Sequence, residues 1–151
     1  MSYTASGMRQ NIYEQDGYQI YADCYNASPD AMEATLSVLG GMAGDGRRFA
    51  VLGSMLELGD YAEEGHRRAG RAAAQYADAL YAYGPDAAAM VAGAREKGME
   101  HAYAFDDQTA LVAALREDAK KGDALLFKGS HGMHMEQVLA RLLKTKEHMG
   151  E

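Results

Sequence analysis

The sequence predicts a three-layer α/β fold, in which a mostly parallel sheet of about six strands carries helices on both faces. Short apolar runs alternate with segments of helical length from residue 48 to residue 144. An Asp16-Gly17 pair near the start separates two strand-like runs, which indicates an antiparallel edge hairpin. With 151 residues, the chain is long enough for one domain with a substantial core.

The first third of the chain is expected to form this hairpin and one helix. The expected strands span residues 9–13 and 18–22, with a turn at residues 14–17. A helix follows the polar loop that comes next. Ser28 is a typical N-cap, Pro29 suits the first helical position, and Gly40-Gly41 marks the stop.

From residue 48 onward, strands and helices alternate. The expected strands are residues 48–52, 79–83, 101–105 and 124–127, and the expected helices are 62–76, 86–97, 107–119 and 133–144. Strands connected through helices pair in parallel by right-handed crossovers, so helices cover both faces. Ligands bind beyond the carboxyl ends of such strands, which makes the loops at 23–28, 53–60 and 128–132 the candidate sites.

Charge and composition exclude several classes of function. Fifteen basic against twenty-two acidic residues give a net charge of -7, which argues against a nucleic-acid-binding surface. No apolar stretch approaches the roughly 18 residues of a membrane span, and the start lacks a signal-peptide core. A cytoplasmic protein without a membrane partner is expected. The single cysteine, Cys24, excludes an intrachain disulfide and is expected to be a small buried apolar side chain.

The first candidate loop places Asp23, Tyr25 and Asn26 together. A carboxylate at a strand end can accept hydrogen bonds from two sugar hydroxyls, and an aromatic ring beside an amide can hold a planar base. The alternative is an ordinary capping turn, because turns favour these residue types. The residues alone leave both interpretations open.

The second candidate loop carries no G-x-G-x-x-G fingerprint, and the chain contains no Walker-A motif. Glu57 and His66 are expected to form an ionic or hydrogen-bonded pair that fixes this loop, which is a structural role. The third loop combines Lys128, two glycines, Ser130 and a helix N-terminus into a candidate anion site. Its alternative is a solvated lysine beside a capping serine.

These segments resemble, in order and spacing, the C-terminal domain of the Mur ligase family. The resemblance is carried by Arg9-Gln10, residues 23–32, residues 51–59 with His66, and Lys128-Gly129-Ser130 with Met135-Glu136. It covers about residues 9–143. The Tyr-Asn-Ala-x-Pro segment is similar to that of the members that add D-alanyl-D-alanine to UDP-N-acetylmuramoyl-tripeptide in peptidoglycan precursor synthesis.

The resemblance implies a six-stranded Rossmann-like domain, the last of three, that closes over ATP bound mainly by a central ATPase domain. The Walker-A loop and the Mg²⁺ ligands would lie in that central domain, so this chain is expected to hold no metal and to be inactive alone. In the family's reaction, ATP phosphorylates the tripeptide carboxylate and the dipeptide amine attacks the acyl phosphate. The tetrahedral intermediate then loses phosphate.

The resemblance also implies roles for particular residues. The implied ATP contacts are Arg9 and Asp23 at the ribose and Tyr25, Asn26 and Pro29 at the adenine. The implied dipeptide contacts are Lys128, Ser130 and His131. His131 stands where arginine is common, and a mostly neutral imidazole binds a carboxylate less strongly than a guanidinium does. His131 and His134 lack a further ligand in sequence and are not expected to bind a metal.

The expected organisation is a linker or added start at residues 1–8, the ligase domain at 9–146 and a tail at 147–151. One alternative is the same domain from a sister Mur ligase, against which the Tyr-Asn segment speaks. A second alternative is a stand-alone Rossmann-like binding module. A GTxGK[ST] segment upstream in the gene would decide between an enzyme and a module.

Overall fold

A computed structural model describes residues 12–24, 27–42 and 44–149, with side chains described through residue 143. The strands are β1 (Ile12–Gln15), β2 (Tyr18–Asp23), β3 (Arg48–Gly53), β4 (Ala79–Tyr83), β5 (Ala102–Phe105) and β6 (Ala124–Lys128). The helices are α1 (Pro29–Leu39), α2 (Ala62–Tyr76), α3 (Ala87–Glu96), α4 (Gln108–Asp118) and α5 (Met135–Met149). Short 3₁₀ turns at Gly59–Tyr61 and His131–Met133 precede α2 and α5.

The strands form one sheet in the order β1-β2-β6-β3-β4-β5. β1 pairs antiparallel with β2, and the other neighbouring strands pair in parallel. The predicted mostly parallel sheet with an antiparallel edge hairpin is therefore confirmed. The chain proceeds outward from β3 to β5 and then returns to place β6 between β2 and β3. The carboxyl ends of β2 and β6 consequently lie side by side.

Helices cover both faces of this sheet, which confirms the predicted three layers. On one face, α1, α2 and α3 bury apolar side chains that include Met32, Leu36, Ala69, Ala73 and Met90. On the other face, α4 and α5 bury a second set that includes Leu111, Leu115, Val138 and Leu142. Every residue of β6 is buried, because this central strand is covered from both sides.

The hairpin turn is shorter than the predicted four residues. Asp16 and Gly17 both have positive φ angles, 56° and 87°, which is the geometry of a two-residue type I′ turn. Since this turn matches the twist of the flanking strands, β1 continues to Gln15 and β2 starts at Tyr18. The first three residues of the predicted strand at 9–13 lie outside the described residues.

The helix boundaries agree with the sequence at most positions. The Ser28 hydroxyl accepts a hydrogen bond from the Ala31 amide at 3.1 Å, so the predicted N-cap is confirmed. The last helix begins at Met135 rather than at residue 133, and it continues to Met149. Lys128, predicted to open the third loop, is instead the last residue of β6. None of the helices in the described part of the chain is long and apolar enough to cross a membrane.

Candidate functional site

The polar side chains singled out by the sequence gather at the carboxyl edge of the sheet. Asp23 ends β2, Lys128 ends β6 and Gly53 ends β3. The parallel register pairs Asp23 with Lys128, and Lys128 in turn with Leu52. The three candidate loops therefore leave the sheet from three adjacent strands, as expected for a doubly wound fold.

The central contact of this edge is an ion pair between Lys128 and Asp23. The Lys128 Nζ donates to the Asp23 Oδ2 at 2.7 Å. The lysine side chain is 1% exposed, whereas the aspartate side chain is 29% exposed. A buried ammonium is costly unless it is paired and hydrogen-bonded, so the pair fixes the lysine in place. Two residues that the family resemblance assigns to different ligands are thus bonded to each other.

Cys24 lies in the same neighbourhood as this ion pair. Burial, together with the negative charges of Glu136 and Asp23, raises the pKa of the Cys24 thiol to about 12, and the positive charge of Lys128 opposes this shift. The thiol is 4% exposed and lies 3.7 Å from the Phe127 carbonyl oxygen. The expectation of a small buried side chain is confirmed, and a neutral thiol is a poor nucleophile.

Ser54 joins the loops that follow three strands. Its amide and its hydroxyl both donate to the Tyr83 carbonyl, at 2.9 and 3.2 Å. The hydroxyl accepts from the Asp86 amide at 3.0 Å, and the Ser54 carbonyl accepts from the Ser130 amide at 3.2 Å. Ser54 is fully buried. Sequence reasoning assigned it no role, although a lone hydroxyl directly after a buried apolar strand was a usable signal.

Ser130 connects two of the candidate loops. Its hydroxyl accepts a hydrogen bond from the Leu56 amide at 2.7 Å. The predicted anion site combined Ser130 with the N-terminus of the last helix. The structure corrects this combination, because the 3₁₀ turn separates Ser130 from the start of α5 at Met135. Ser130 also does not cap α5, contrary to the alternative interpretation. His131 follows on this turn and is exposed.

His66 fixes the second loop, but through the backbone rather than through Glu57. The Met55 amide donates to the His66 Nε2 at 2.8 Å, and the His66 Nδ1 lies 2.7 Å from the Ala62 carbonyl oxygen. Because an amide can only donate, Nε2 accepts and Nδ1 carries the proton. Glu57 is exposed, with a φ angle of 71°. The predicted Glu57 and His66 pair is therefore wrong as a direct contact, since both ring nitrogens are engaged.

Of the remaining residues predicted to contact ATP, the structure describes only one. Pro29 is buried in the first turn of α1. Arg9, Tyr25 and Asn26 lie outside the described residues. Among the side chains described in residues 12–24, 27–42 and 44–143, no group of three or more His, Cys, Asp or Glu is arranged to hold a metal ion.

Together, the doubly wound sheet and its two helical layers define a Rossmann-like α/β domain, and the polar residues at its carboxyl edge form a candidate ligand site. The sequence profile of the Mur ligase, glutamate ligase domain matches residues 8–131. This chain belongs to the Mur ligase family.

Two curated relatives carry the name UDP-N-acetylmuramoyl-tripeptide--D-alanyl-D-alanine ligase. The protein from Bacillus subtilis is 34% identical over 143 residues, which are 93% of this chain and 31% of that protein. The Synechocystis protein is 40% identical over 124 residues, which are 80% of this chain and 26% of that protein. The chain thus spans at most about a third of the length of these relatives.

Solved structures agree with this assignment. The Thermotoga maritima MurF ligase in complex with ADP has a TM-score of 0.79 at 32% identity, covering 94% of this chain and 32% of that one. MurF from Acinetobacter baumannii has a TM-score of 0.80 at 30% identity, covering 90% of this chain and 30% of that one. A MurC alanine ligase from Thermotoga maritima, at 13% identity and a TM-score of 0.66, shares the fold.

Proposed function

We propose that this chain is the C-terminal domain of an ATP-dependent ligase that adds D-alanyl-D-alanine to UDP-N-acetylmuramoyl-tripeptide. The observation that carries the proposal is the match of 80–93% of the chain to relatives with that name, at 34–40% identity. The ADP complex of the Thermotoga maritima relative supports ATP as the nucleotide. The domain is proposed to span residues 9–146, after a linker at 1–8 and before a tail at 147–151.

In the proposed reaction, an oxygen of the tripeptide carboxylate bonds to the γ-phosphorus of ATP and ADP leaves. The amine of the dipeptide then attacks the acyl carbon, and the tetrahedral intermediate expels phosphate as the amide forms and the nitrogen loses its proton. Such chemistry depends on positioning and on charge stabilisation. This chain would contribute to it by holding the nucleotide and the dipeptide at its carboxyl edge.

The nucleotide side is proposed to lie at the end of β2. Asp23 is partly exposed there, so its carboxylate is accessible to ribose hydroxyls. Arg9 is proposed to hold the ribose as well. The adenine side is proposed to consist of Tyr25, Asn26 and Pro29. A charge-assisted hydrogen bond to a hydroxyl is shorter and stronger than a neutral one, which suits an anchoring role for Asp23.

The dipeptide side is proposed to lie at the end of β6, where Ser130 and His131 occupy the exposed loop. Lys128, which the family resemblance also assigns to the dipeptide, is buried between the two sides with its Nζ on Asp23. An ammonium at 2.7 Å disfavours a divalent cation at the same carboxylate. Mg²⁺ is therefore proposed to bind in another domain, together with the Walker-A loop.

Substrate selection by the full-length protein that carries this domain tests the proposal. The protein would be given ATP and one matched pair of acceptor and amine at a time, either UDP-N-acetylmuramoyl-tripeptide with D-alanyl-D-alanine or the acceptor of a sister ligase with its own amino acid, and phosphate release would be measured. We expect turnover with D-alanyl-D-alanine and little with L-alanine, D-glutamate or diaminopimelate. A preference for one of these amino acids would assign the domain to a sister ligase. A gene without an upstream GTxGK[ST] segment would favour the stand-alone module.

A further inference from the structure

We infer that Lys128 is a positioning residue, which holds the Asp23 carboxylate in the orientation that binds the ribose of the nucleotide. The inference rests on the proposed function of Asp23. It assigns Lys128 to the nucleotide side of the edge and gives it no direct contact with the dipeptide.

The sheet itself fixes the two backbones. Asp23 and Lys128 are the last residues of β2 and β6, and they are register partners in a parallel ladder. Their side chains meet at 2.7 Å through Nζ and Oδ2. An aspartate side chain has few rotamers, so a bond to one carboxylate oxygen at a fixed backbone sets where the other oxygen points.

Burial distinguishes a positioning role from direct contact with a ligand. Lys128 is 1% exposed, so its ammonium reaches a ligand only after leaving Asp23 and moving out of the protein. Asp23 keeps 29% of its side chain exposed and can bind a ligand without moving. The pair therefore presents its carboxylate outward and keeps its ammonium inside.

The surrounding charge makes the lysine necessary for this arrangement. Asp23 and Glu136 both act as negative charges on the Cys24 thiol, and Lys128 acts on the same thiol as a positive charge. Without the ammonium, two partly exposed carboxylates would remain beside the same buried thiol. Like charges in such surroundings repel, so Asp23 would rotate toward solvent and lose its alignment with the ribose.

The test compares ATP with 2′-deoxy-ATP and 3′-deoxy-ATP in the full-length ligase, using kcat/KM for each nucleotide. We expect the wild type to prefer ATP by about 10-fold over the deoxy analogue whose hydroxyl Asp23 binds. Asp23→Asn and Lys128→Met should both reduce this preference to about 2-fold or less. The KM for D-alanyl-D-alanine should stay within about 3-fold of the wild type in Lys128→Met. Lys121→Met is the matched control, because Lys121 is exposed on the turn before β6.

The outcomes separate the inference from the proposed function on which it rests. If Asp23→Asn retains the preference for ATP, the ribose assignment of Asp23 is wrong. If Asp23→Asn loses the preference but Lys128→Met retains it, the positioning role is overturned. A raised dipeptide KM with an unchanged nucleotide preference in Lys128→Met overturns it as well. If Lys128→Met is insoluble, Lys128→Gln replaces it, because the glutamine side chain is polar but uncharged and one atom too short to place its nitrogen where the Lys128 Nζ contacts Asp23; the same loss of preference is expected.

Discussion

Gly53 and Gly129 meet backbone to backbone where β3 and β6 end. A Cβ atom placed on Gly129 would lie 2.9 Å from the Gly53 Cα, and one placed on Gly53 would lie 2.7 Å from the Met135 Sδ. Real Cβ atoms do not approach other atoms so closely. The two loops that leave these strands therefore pack against each other with no side chain between them.

Replacing Gly129 with alanine should destabilise the domain. The added methyl group would meet the Gly53 backbone as well as the Met135 side chain, and the backbone contact cannot be relieved by a rotamer change, which predicts a loss of about 1–3 kcal/mol in the free energy of unfolding. Urea denaturation of the 151-residue chain measures the loss. Gly41→Ala is the control, because a Cβ at Gly41 meets its nearest atom at 3.7 Å. Equal stability of the two variants would contradict the close approach.

His66→Ala should also destabilise the domain, and for a different reason. The substitution leaves the Met55 amide without its partner, removes the side-chain hydrogen bond to the Ala62 carbonyl and creates a cavity at a fully buried position. We expect a loss of about 2–4 kcal/mol and faster hydrogen exchange at the Met55 amide. His101→Ala, at an exposed position, should have little effect. In the wild type, ¹⁵N NMR should find the proton on the His66 Nδ1, and a proton on Nε2 would refute the hydrogen bond from Met55.

Cys24 should resist alkylation in the native protein. Its pKa is raised from 9.0 to about 12, so at pH 8 its thiolate fraction is about 1000-fold below that of the unfolded chain. Because the unfolded thiol ionises first, this group also lowers stability as the pH rises from about 9 to about 12. Iodoacetamide labelling followed by mass spectrometry, with and without guanidinium, measures the ratio of rates. A native rate within 10-fold of the denatured rate would exclude the raised pKa.

The 151-residue chain alone should release no phosphate from ATP. Ribose and base contacts give at best weak nucleotide binding, and catalysis requires the phosphate-binding half of the site. A phosphate-release assay with purified chain, in the presence of both other substrates, measures this activity. Turnover above the background of a heat-denatured sample would show that the proposed division between two domains is incorrect.

Arg9→Ala, in the full-length ligase, should raise the KM for ATP more than the KM for the dipeptide. The variant removes a proposed charge-assisted hydrogen bond worth about 1.5–3 kcal/mol, which corresponds to roughly a 10- to 100-fold change. Steady-state kinetics with each substrate varied in turn measures both constants. Arg95→Ala on the exposed side of α3 is the comparison. Unchanged ATP kinetics in Arg9→Ala would remove this residue from the nucleotide site.

Local sequence signals predicted most of the fold because each acts over a few residues. Ser28 and Pro29 begin α1 where capping chemistry places them, and the apolar runs mark the strands. The strand order could not be predicted, because the return of β6 between β2 and β3 depends on contacts between segments about 100 residues apart in sequence. That return creates the contact between Asp23 and Lys128, so this ion pair could not be predicted from the sequence either.

The loop interactions were predicted less well than the strands. His66 was correctly expected to fix the second loop, but its partner is a backbone amide, and backbone donors occur at every residue. Sequence reasoning pairs charged side chains, such as Glu57, more readily than it pairs a ring with an amide. The start of the last helix was predicted two residues too early because the 3₁₀ turn at His131–Met133 precedes it. This turn ends at His134, whose left-handed φ of 55° is not predicted by its residue type.

The hydrogen bonds of Ser54 have a consequence for engineering the loops of this domain. One buried hydroxyl and its flanking backbone bind the loops after β3, β4 and β6. An insertion in any one of these loops would pull on the other two through this shared anchor. Libraries that vary a single loop should therefore yield mostly unstable variants. Libraries that recombine the three loops as a set, with Ser54 kept, should preserve the scaffold while changing the surface that it presents.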